Sequence, residues 1–249
     1  MNRKVLLEIS VDSAESAVAA ERGGADRVEL CANLLEGGVT PSAGMIAATR
    51  RRIAIPLHVM IRPRGGDFCC SEEEFDAMRH DVDVAKNFGA NGIVLGILNA
   101  AGRVDIERTR ELALRARPLS VTFHRAFDFA PNLLQSLEDV VQTGAGRVLT
   151  SGGAPKAEDA LPALTALVER AGSRAAILVC GGVRAHNVRR ILEATHAREI
   201  HVGQSGVAVL APTAPHSGSS KIRLSEISVP SAERRVVSPD KVRQLIESF

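Results

Sequence analysis

The pieces Leu119-Ser-Val-Thr-Phe-His124, Leu133-Leu-Gln-Ser-Leu-Glu-Asp-Val-Val141 and Arg147-Val-Leu-Thr150 read together as one β/α/β unit. The outer two are short and β-rich. Between them Leu133, Leu134, Leu137, Val140 and Val141 step by three and four, the spacing that keeps side chains on one helix face. Pro131 suits a first helical position. Working outward, comparable strand runs fall at 5–10, 27–31, 57–62, 93–96, 176–180 and 199–202, which with 119–124 and 147–150 makes eight. Phe75, Met78, Val82 and Ala85 mark another helix face, and Ser71-Glu-Glu-Glu74 ahead of it reads as a capping box. Eight β/α units in unbroken alternation, in a chain of 249 residues with no linker-like change of composition, predict an α/β protein. The expected form is a single-domain (β/α)8 TIM barrel over residues 1–249. An open doubly wound sheet is the rival, but Gly-x-Gly-x-x-Gly does not follow the first strand, so no nucleotide cofactor is expected. Residues 203–237 lack a clear period and read as a long loop after strand eight, placed to cover the barrel mouth or, equally, to stand clear of it or contact another subunit. Ser238-Pro239 opens a C-terminal helix, 238–249, with Val242, Leu245, Ile246 and Phe249 on its buried side.

Hydrophobic residues make up 45% of the chain and charged residues 24%, the balance of a globular domain. The net charge is only +2, and with no Trp or Tyr and seven Phe there is little for bases to stack on. Nucleic-acid binding is therefore disfavoured despite the basic run Arg50-Arg51-Arg52, which reads as a solvated helix end. Apolar runs are too short to span a membrane, and Glu8 interrupts the first of them before it reaches the length of a signal-peptide core. A cytoplasmic location follows, and Cys31, Cys69, Cys70 and Cys180 are expected as thiols. A homo-oligomer is left open.

Strand side chains alternate between faces, and in a barrel wrapped by helices the outward face is apolar. Val5, Leu7 and Ile9 therefore turn outward and leave Glu8 and Ser10 in the lumen; Val28 and Leu30 do the same for Glu29 and Cys31. By the same rule His58, Met60, Arg62, Ser120, Thr122, His124, Glu199 and His201 point inward. So polar a lumen needs either a mutual hydrogen-bond network or a ligand. Glu8, Glu29 and His124 are the candidate catalytic residues, because they lie at or near strand C-termini.

Four loop motifs add to them. Arg62-Pro-Arg-Gly-Gly-Asp67 holds two guanidiniums near the mouth, suited to an anion, with Asp67 to orient one; the bland reading of Arg62, Arg64 and Asp67 is a loop staple. Thr150-Ser-Gly-Gly153 and Cys180-Gly-Gly-Val183 put Gly152, Gly153, Gly181 and Gly182 where backbone N–H groups can cradle phosphate, though tight turns explain them equally. His124-Arg-Ala-Phe-Asp128 sets an imidazole able to titrate near neutrality beside Arg125 and Asp128, which suits a general acid or base. Cys31 and Met60 supply a thiolate and a thioether, the soft donors that suit Cu(I), with Cys69 placed to approach them; packing is the ordinary use of such residues. Lysines fall at 4, 86, 156, 221 and 241, away from strand C-termini, which argues against Schiff-base chemistry.

Several of these segments together resemble the CutC family: Arg27-Val-Glu-Leu-Cys-Ala-Asn33 with Glu36-Gly-Gly-Val-Thr-Pro41, Ile61-Arg-Pro-Arg-Gly-Gly-Asp-Phe68, Val121-Thr-Phe-His-Arg-Ala-Phe-Asp128 and Arg147-Val-Leu-Thr-Ser-Gly-Gly153. The resemblance implies a TIM barrel, a cytoplasmic location and a role in copper homeostasis, with Cys31 matching the family cysteine after strand two. Ser10-Val11 departs from the cysteine that related chains often carry after strand one, and Gly203-Gln-Ser-Gly206 and the tail diverge. Two expectations follow. One is a Cu(I) site at Cys31 with Met60 or Cys69 in support. The other is an enzyme on a small anionic or phosphorylated metabolite, with Glu29 and His124 as acid/base pair and Arg62 and Arg64 on the anion.

Overall fold

A computed structural model describes residues 5–210 and 234–249. Each β-rich run forms a strand: β1 (Leu6–Val11), β2 (Arg27–Leu30), β3 (Leu57–Met60), β4 (Gly92–Leu95), β5 (Ser120–Phe123), β6 (Arg147–Thr150), β7 (Ala176–Val179) and β8 (Glu199–Val202). They pair in chain order, all parallel, and β1 closes on β8, with Glu8 level with both Arg27 and His201 and Glu29 level with His58. The (β/α)8 barrel is thus the observed fold.

Outside the strands lie α1 (Ala14–Gly23), α2 (Ala43–Arg50), α3 (Glu72–Asn87), α4 (Ile106–Ala116), α5 (Leu133–Thr143), α6 (Leu161–Ala171), α7 (Val188–Thr195) and α8 (Pro239–Glu247). Their starts follow local chemistry. Ser71 and Glu74 make the reciprocal capping box of α3, and Phe75, Met78, Val82 and Ala85 form its buried stripe. Asn132 caps α5 through Gln135 N–H, so Pro131 stands before the cap and not at the first helical position. Leu134 is exposed; in the rest of the α5 stripe Leu137 and Val140 are buried, and Leu133 and Val141 pack half-buried against the core. The apolar core fills the space between barrel and helices, with Leu7, Ile9, Val28, Leu30, Ile93 and Leu95 pointing out of the lumen into it.

Ser238 caps α8, and Val242 and Leu245 are buried while Ile246 and Phe249 are half-buried. A side chain at Gly23 would stand 2.5 Å from Val242 Cβ, so glycine is what lets α8 lie on the end of α1. Gln204–Gly206 makes a 3-10 turn after β8, and β9 (Ala208–Leu210) pairs antiparallel with β10 (Arg235–Val237), which lies beside α1. The ends of the segment 203–237 therefore form a ribbon where a plain loop was expected; the rest of it, on which a mouth-covering role would depend, lies outside the described residues.

Candidate functional site

The lumen holds two kinds of polar side chain. Toward the N-terminal ends of the strands the groups mostly satisfy one another, His58 Nδ1 being the exception, buried 3.8 Å from Glu8 Oε2 without a hydrogen bond. Arg27 donates to Glu8 and, at 2.9 Å, to Glu199; Arg147 grips Glu199 through Nε at 2.6 Å and Nη2 at 3.2 Å and reaches Thr122 Oγ1. His201 Nδ1 meets Glu8 Oε1 at 2.7 Å, and His58 Nε2 meets Ser120 Oγ at 3.1 Å. Burial pushes the Glu8 carboxyl up, but Arg27 and His201 outweigh it and hold the group well below the usual carboxylate range. Burial also opposes charge on His201, yet Glu29 and Glu8 raise its pKa. His58, with burial the main cause, is lowered to about 4 and stays neutral.

Toward the C-terminal ends the groups are left open. A cavity of about 950 Å³ is lined there by Ser10, Glu29, Met60, Arg62, Phe68 and His124, among others, a volume that suits a small-molecule site. Among the described residues, Glu29 Oε1, Arg62 Nε and His124 Nε2 are buried without any hydrogen-bond partner. The Ala126 N–H donates to His124 Nδ1 at 3.2 Å, so the ring proton resides on Nε2. Phe68 packs edge-on against the ring at 5.2 Å. Burial, reinforced by the Arg62 charge, lowers His124 to about 3, so it is a neutral N–H donor and not the near-neutral titrating group its residue type suggests. Burial raises Glu29, with His201 pulling the other way and Glu8 adding to the rise.

Arg62 is tied by its two terminal nitrogens to the carbonyls of Glu36, Gly38 and Gly66, which leaves Nε–H free and its guanidinium 4.8 Å from the Phe68 ring. The expected fork on an anion is thus occupied by backbone. Arg64 is half-exposed, bound to Glu74 at 2.5 Å and Asp67 at 3.0 Å, and does not line the cavity; this is the loop-staple arrangement. Glu8 does not line it either, and both its oxygens are engaged. Arg125 lines the wall but donates to Asp128 and Ser151. Asp128 accepts from Thr150 Oγ1, the Ser151 N–H and the Gly153 N–H, and Gly152 N–H goes to Thr150 Oγ1. The Gly152-Gly153 turn therefore spends its N–H groups within the protein, and Gly152, Gly153, Gly181 and Gly182 all lie off the cavity wall.

Cys31 and Met60 pack together with Val94; a side-chain carbon at Gly38 would sit 3.0 Å from Cys31 Sγ and 3.6 Å from Met60 Cε. Cys31 donates to Glu29 Oε2 at 3.5 Å, and burial with the neighbouring Glu29 raises its thiol well above the ordinary value. Cys69 is exposed on the cavity rim, while Cys70 points to Met78. Glu8, Glu29 and His201 can bring one ligand atom each within 4.8 Å of the others, but a cation there would compete with Arg27 for Glu8. The sequence reading passed over Arg27 and Arg147. The alternation that turned Glu29 inward puts Arg27 on the same face, and applied to β6 it does the same for Arg147.

The chain matches the CutC family over residues 5–206. It is 45% identical over 244 residues to the family protein CutC of Chromobacterium violaceum, covering 98% of each chain. It is 47% identical over 196 residues to a human protein named copper homeostasis protein cutC homolog, covering 79% of this chain and 72% of that one. The crystal structure of CutC from Streptococcus agalactiae superposes with a TM-score of 0.76 at 33% identity, over 80% of this chain and 98% of the other.

Proposed function

We propose that this chain, which belongs to the CutC family, has the copper-homeostasis role for which its relatives are named and carries at its barrel mouth an acid/base site for a small metabolite. Copper homeostasis describes a cell; the residues speak to chemistry. The observation that carries the site is the trio of buried, unpartnered atoms on one cavity wall: an acceptor, Glu29 Oε1, and two donors, Arg62 Nε–H and His124 Nε2–H. Leaving such a group unsatisfied costs about 1–3 kcal/mol, and a bound ligand that hydrogen-bonds all three removes that cost. Glu29, raised by burial, is the proton acceptor, and His124 and Arg62 are fixed donors. A cytoplasmic location belongs to the same proposal.

The test is a thermal-shift screen of small metabolites. A ligand at a hundred times its Kd stabilises by about 2.7 kcal/mol, which for a domain of this size raises Tm by roughly 5–11 °C. That shift is expected to vanish in Glu29→Gln and in His124→Phe. A ligand that stabilises both variants as well as the native protein refutes the site.

Cys31 beside Met60 favours a second reading, Cu(I) held by the two soft donors. Binding would have to displace a proton from a thiol that burial and Glu29 keep protonated. A Cu(I) titration against a chromogenic chelator under reducing conditions decides it. One tight stoichiometric site lost in Cys31→Ala supports the reading, and weak uptake indifferent to Cys31 rules it out.

A further inference from the structure

We infer that the mouth cavity takes an uncharged α-hydroxy carbonyl compound of the sugar type and moves a proton on the carbon next to its carbonyl, with Glu29 as base and the His124 and Arg62 N–H groups on the carbonyl oxygen. The inference rests on the acid/base reading of the cavity and names its substrate class.

The donors argue for an oxygen that gains charge. His124 holds its proton on Nε2 because Ala126 N–H occupies Nδ1, and the ring is wedged between Phe68 and the bare backbone of Gly96, where an added carbon would stand 2.5 Å from Nδ1. It cannot turn over or shuttle protons; it presents one fixed N–H. Arg62 likewise presents only Nε–H, its other arms being anchored to three carbonyls. Two preorganised donors in a pocket walled by Met60, Phe68, Leu98 and Phe129 stabilise an oxyanion far better than the same donors in water. Glu29 supplies the partner function, a carboxylate whose burial makes it a stronger base than an exposed one. Among the described residues no lysine lines the cavity, so none of them offers a Schiff-base route to the same carbanion.

The charge of the wall selects against phosphate. Glu29, Glu36 and Asp67 face Arg62, Arg125 and His201, of which Arg125 is already paired with Asp128 and His201 with Glu8. Of the two candidate phosphate cradles in the sequence, the Gly152 and Gly153 N–H groups are bound within the protein, and Gly181 and Gly182 lie off the cavity wall. A ligand with hydroxyls and one carbonyl meets these partners without bringing a second negative charge.

In the step itself, the Glu29 carboxylate removes the proton from the α-carbon. The C–H electron pair becomes the C=C bond, and the carbonyl π pair moves onto oxygen, where the two N–H groups hold it. Protonation of the former carbonyl carbon by the Glu29 carboxyl, with the neighbouring hydroxyl proton passing to the first oxygen, interconverts aldose and ketose. Return of a proton from Glu29 to the same face of the same carbon regenerates the substrate, with its α-hydrogen exchanged for one from solvent. Both routes balance without an oxidant or reductant.

The experiment incubates the full chain in D2O with dihydroxyacetone, D-glyceraldehyde, D-ribulose, D-xylulose, D-fructose and D-tagatose, following α-C–H signals by proton NMR and Tm on the same samples. Loss of an α-proton signal that slows by about 10²-fold or more in Glu29→Gln, and also in His124→Gln, supports the inference. His124→Gln is the second variant should Glu29→Gln fold poorly. A sugar that raises Tm in a His124-dependent way yet never exchanges overturns the proton transfer while leaving the metabolite site standing. Neither a shift nor exchange with any of the six overturns the substrate class, and the broader metabolite screen then decides separately whether the site itself survives.

Discussion

Replacing Gly96 by alanine tests the wedge that fixes His124. Gly96 follows β4 and is buried; a methyl there would lie 2.5 Å from His124 Nδ1, 2.7 Å from Cε1 and 3.2 Å from Ala126 Cβ. Ordinary contact begins near 3.4 Å, so the ring must retreat by about 0.9 Å, and Ala126 N–H then loses its acceptor. Overpacking of this kind costs about 1–3 kcal/mol and the lost hydrogen bond about 1 more, which at 2–4 °C per kcal/mol is a fall in Tm of roughly 4–16 °C. Gly146→Ala is the matched control, since nothing lies within 4 Å of its added carbon and its φ is not positive; it is expected to stay within about 0.5 kcal/mol of the native protein. The assays are thermal unfolding by circular dichroism and long-range proton–nitrogen spectra of histidine-labelled protein, which report the tautomer directly. A Gly96→Ala variant that melts within about 2 °C of the native chain with unchanged His124 signals refutes the reasoning.

Arg27→Met removes the cation from a buried pair and is expected to destabilise by about 3–5 kcal/mol in urea unfolding at pH 7; a loss below about 1 kcal/mol would show that His201 alone neutralises Glu8. Acid lowers stability in the window from about pH 6 to 4.5. His58 and His124, lowered to about 4 and about 3, stay unprotonated in the folded chain while the unfolded chain takes both protons; Glu29, raised, offsets at most one of them. The folded state therefore loses roughly 1.4–2.7 kcal/mol per pH unit as pH falls, and His124→Gln should flatten that slope by about 1.4; an unchanged slope contradicts the neutral imidazole. Asp128→Ala frees Thr150, Ser151, Gly153 and Arg125 together, with an expected cost of about 1.5–3 kcal/mol and faster hydrogen exchange at the Ser151 and Gly153 amides. Unaltered exchange there would show that the turn holds itself.

The barrel was legible because its signal is repeated eight times and each repeat is local. A run such as Arg147-Val-Leu-Thr150 needs only its own alternation and a following helical stripe to declare itself. The inward set was legible by the same period, and the inward pointing of Glu29, Met60, His124 and His201 follows from it. What escaped was pairing across the lumen. Arg27 meets Glu199 over 172 positions and Asp128 meets Gly153 over 25, and no period links such residues. The protonation of His124 escaped for a related reason: its pKa depends on burial and on the Arg62 charge, and its tautomer on a backbone N–H two residues on, not on residue type.

A polar lumen raises the question of whether it is a self-satisfied network or a binding site, and the two ends of this barrel answer differently. Near the N-terminal ends, Arg27 and Arg147 balance Glu8 and Glu199, so removing any one leaves a charge stranded and the layer behaves as structure. Near the C-terminal ends, the unmet atoms are one oxygen and two N–H groups, a complementary set that does not close on itself. His201 joins the layers: Nδ1 is bound to Glu8 below, and Nε2 stands 3.9 Å from Glu29 above. Positive charge on His201 opposes the rise that burial imposes on Glu29. The lower ion pairs thus serve the mouth without touching it, because Glu8 raises the His201 pKa and Arg27 holds Glu8 ionised.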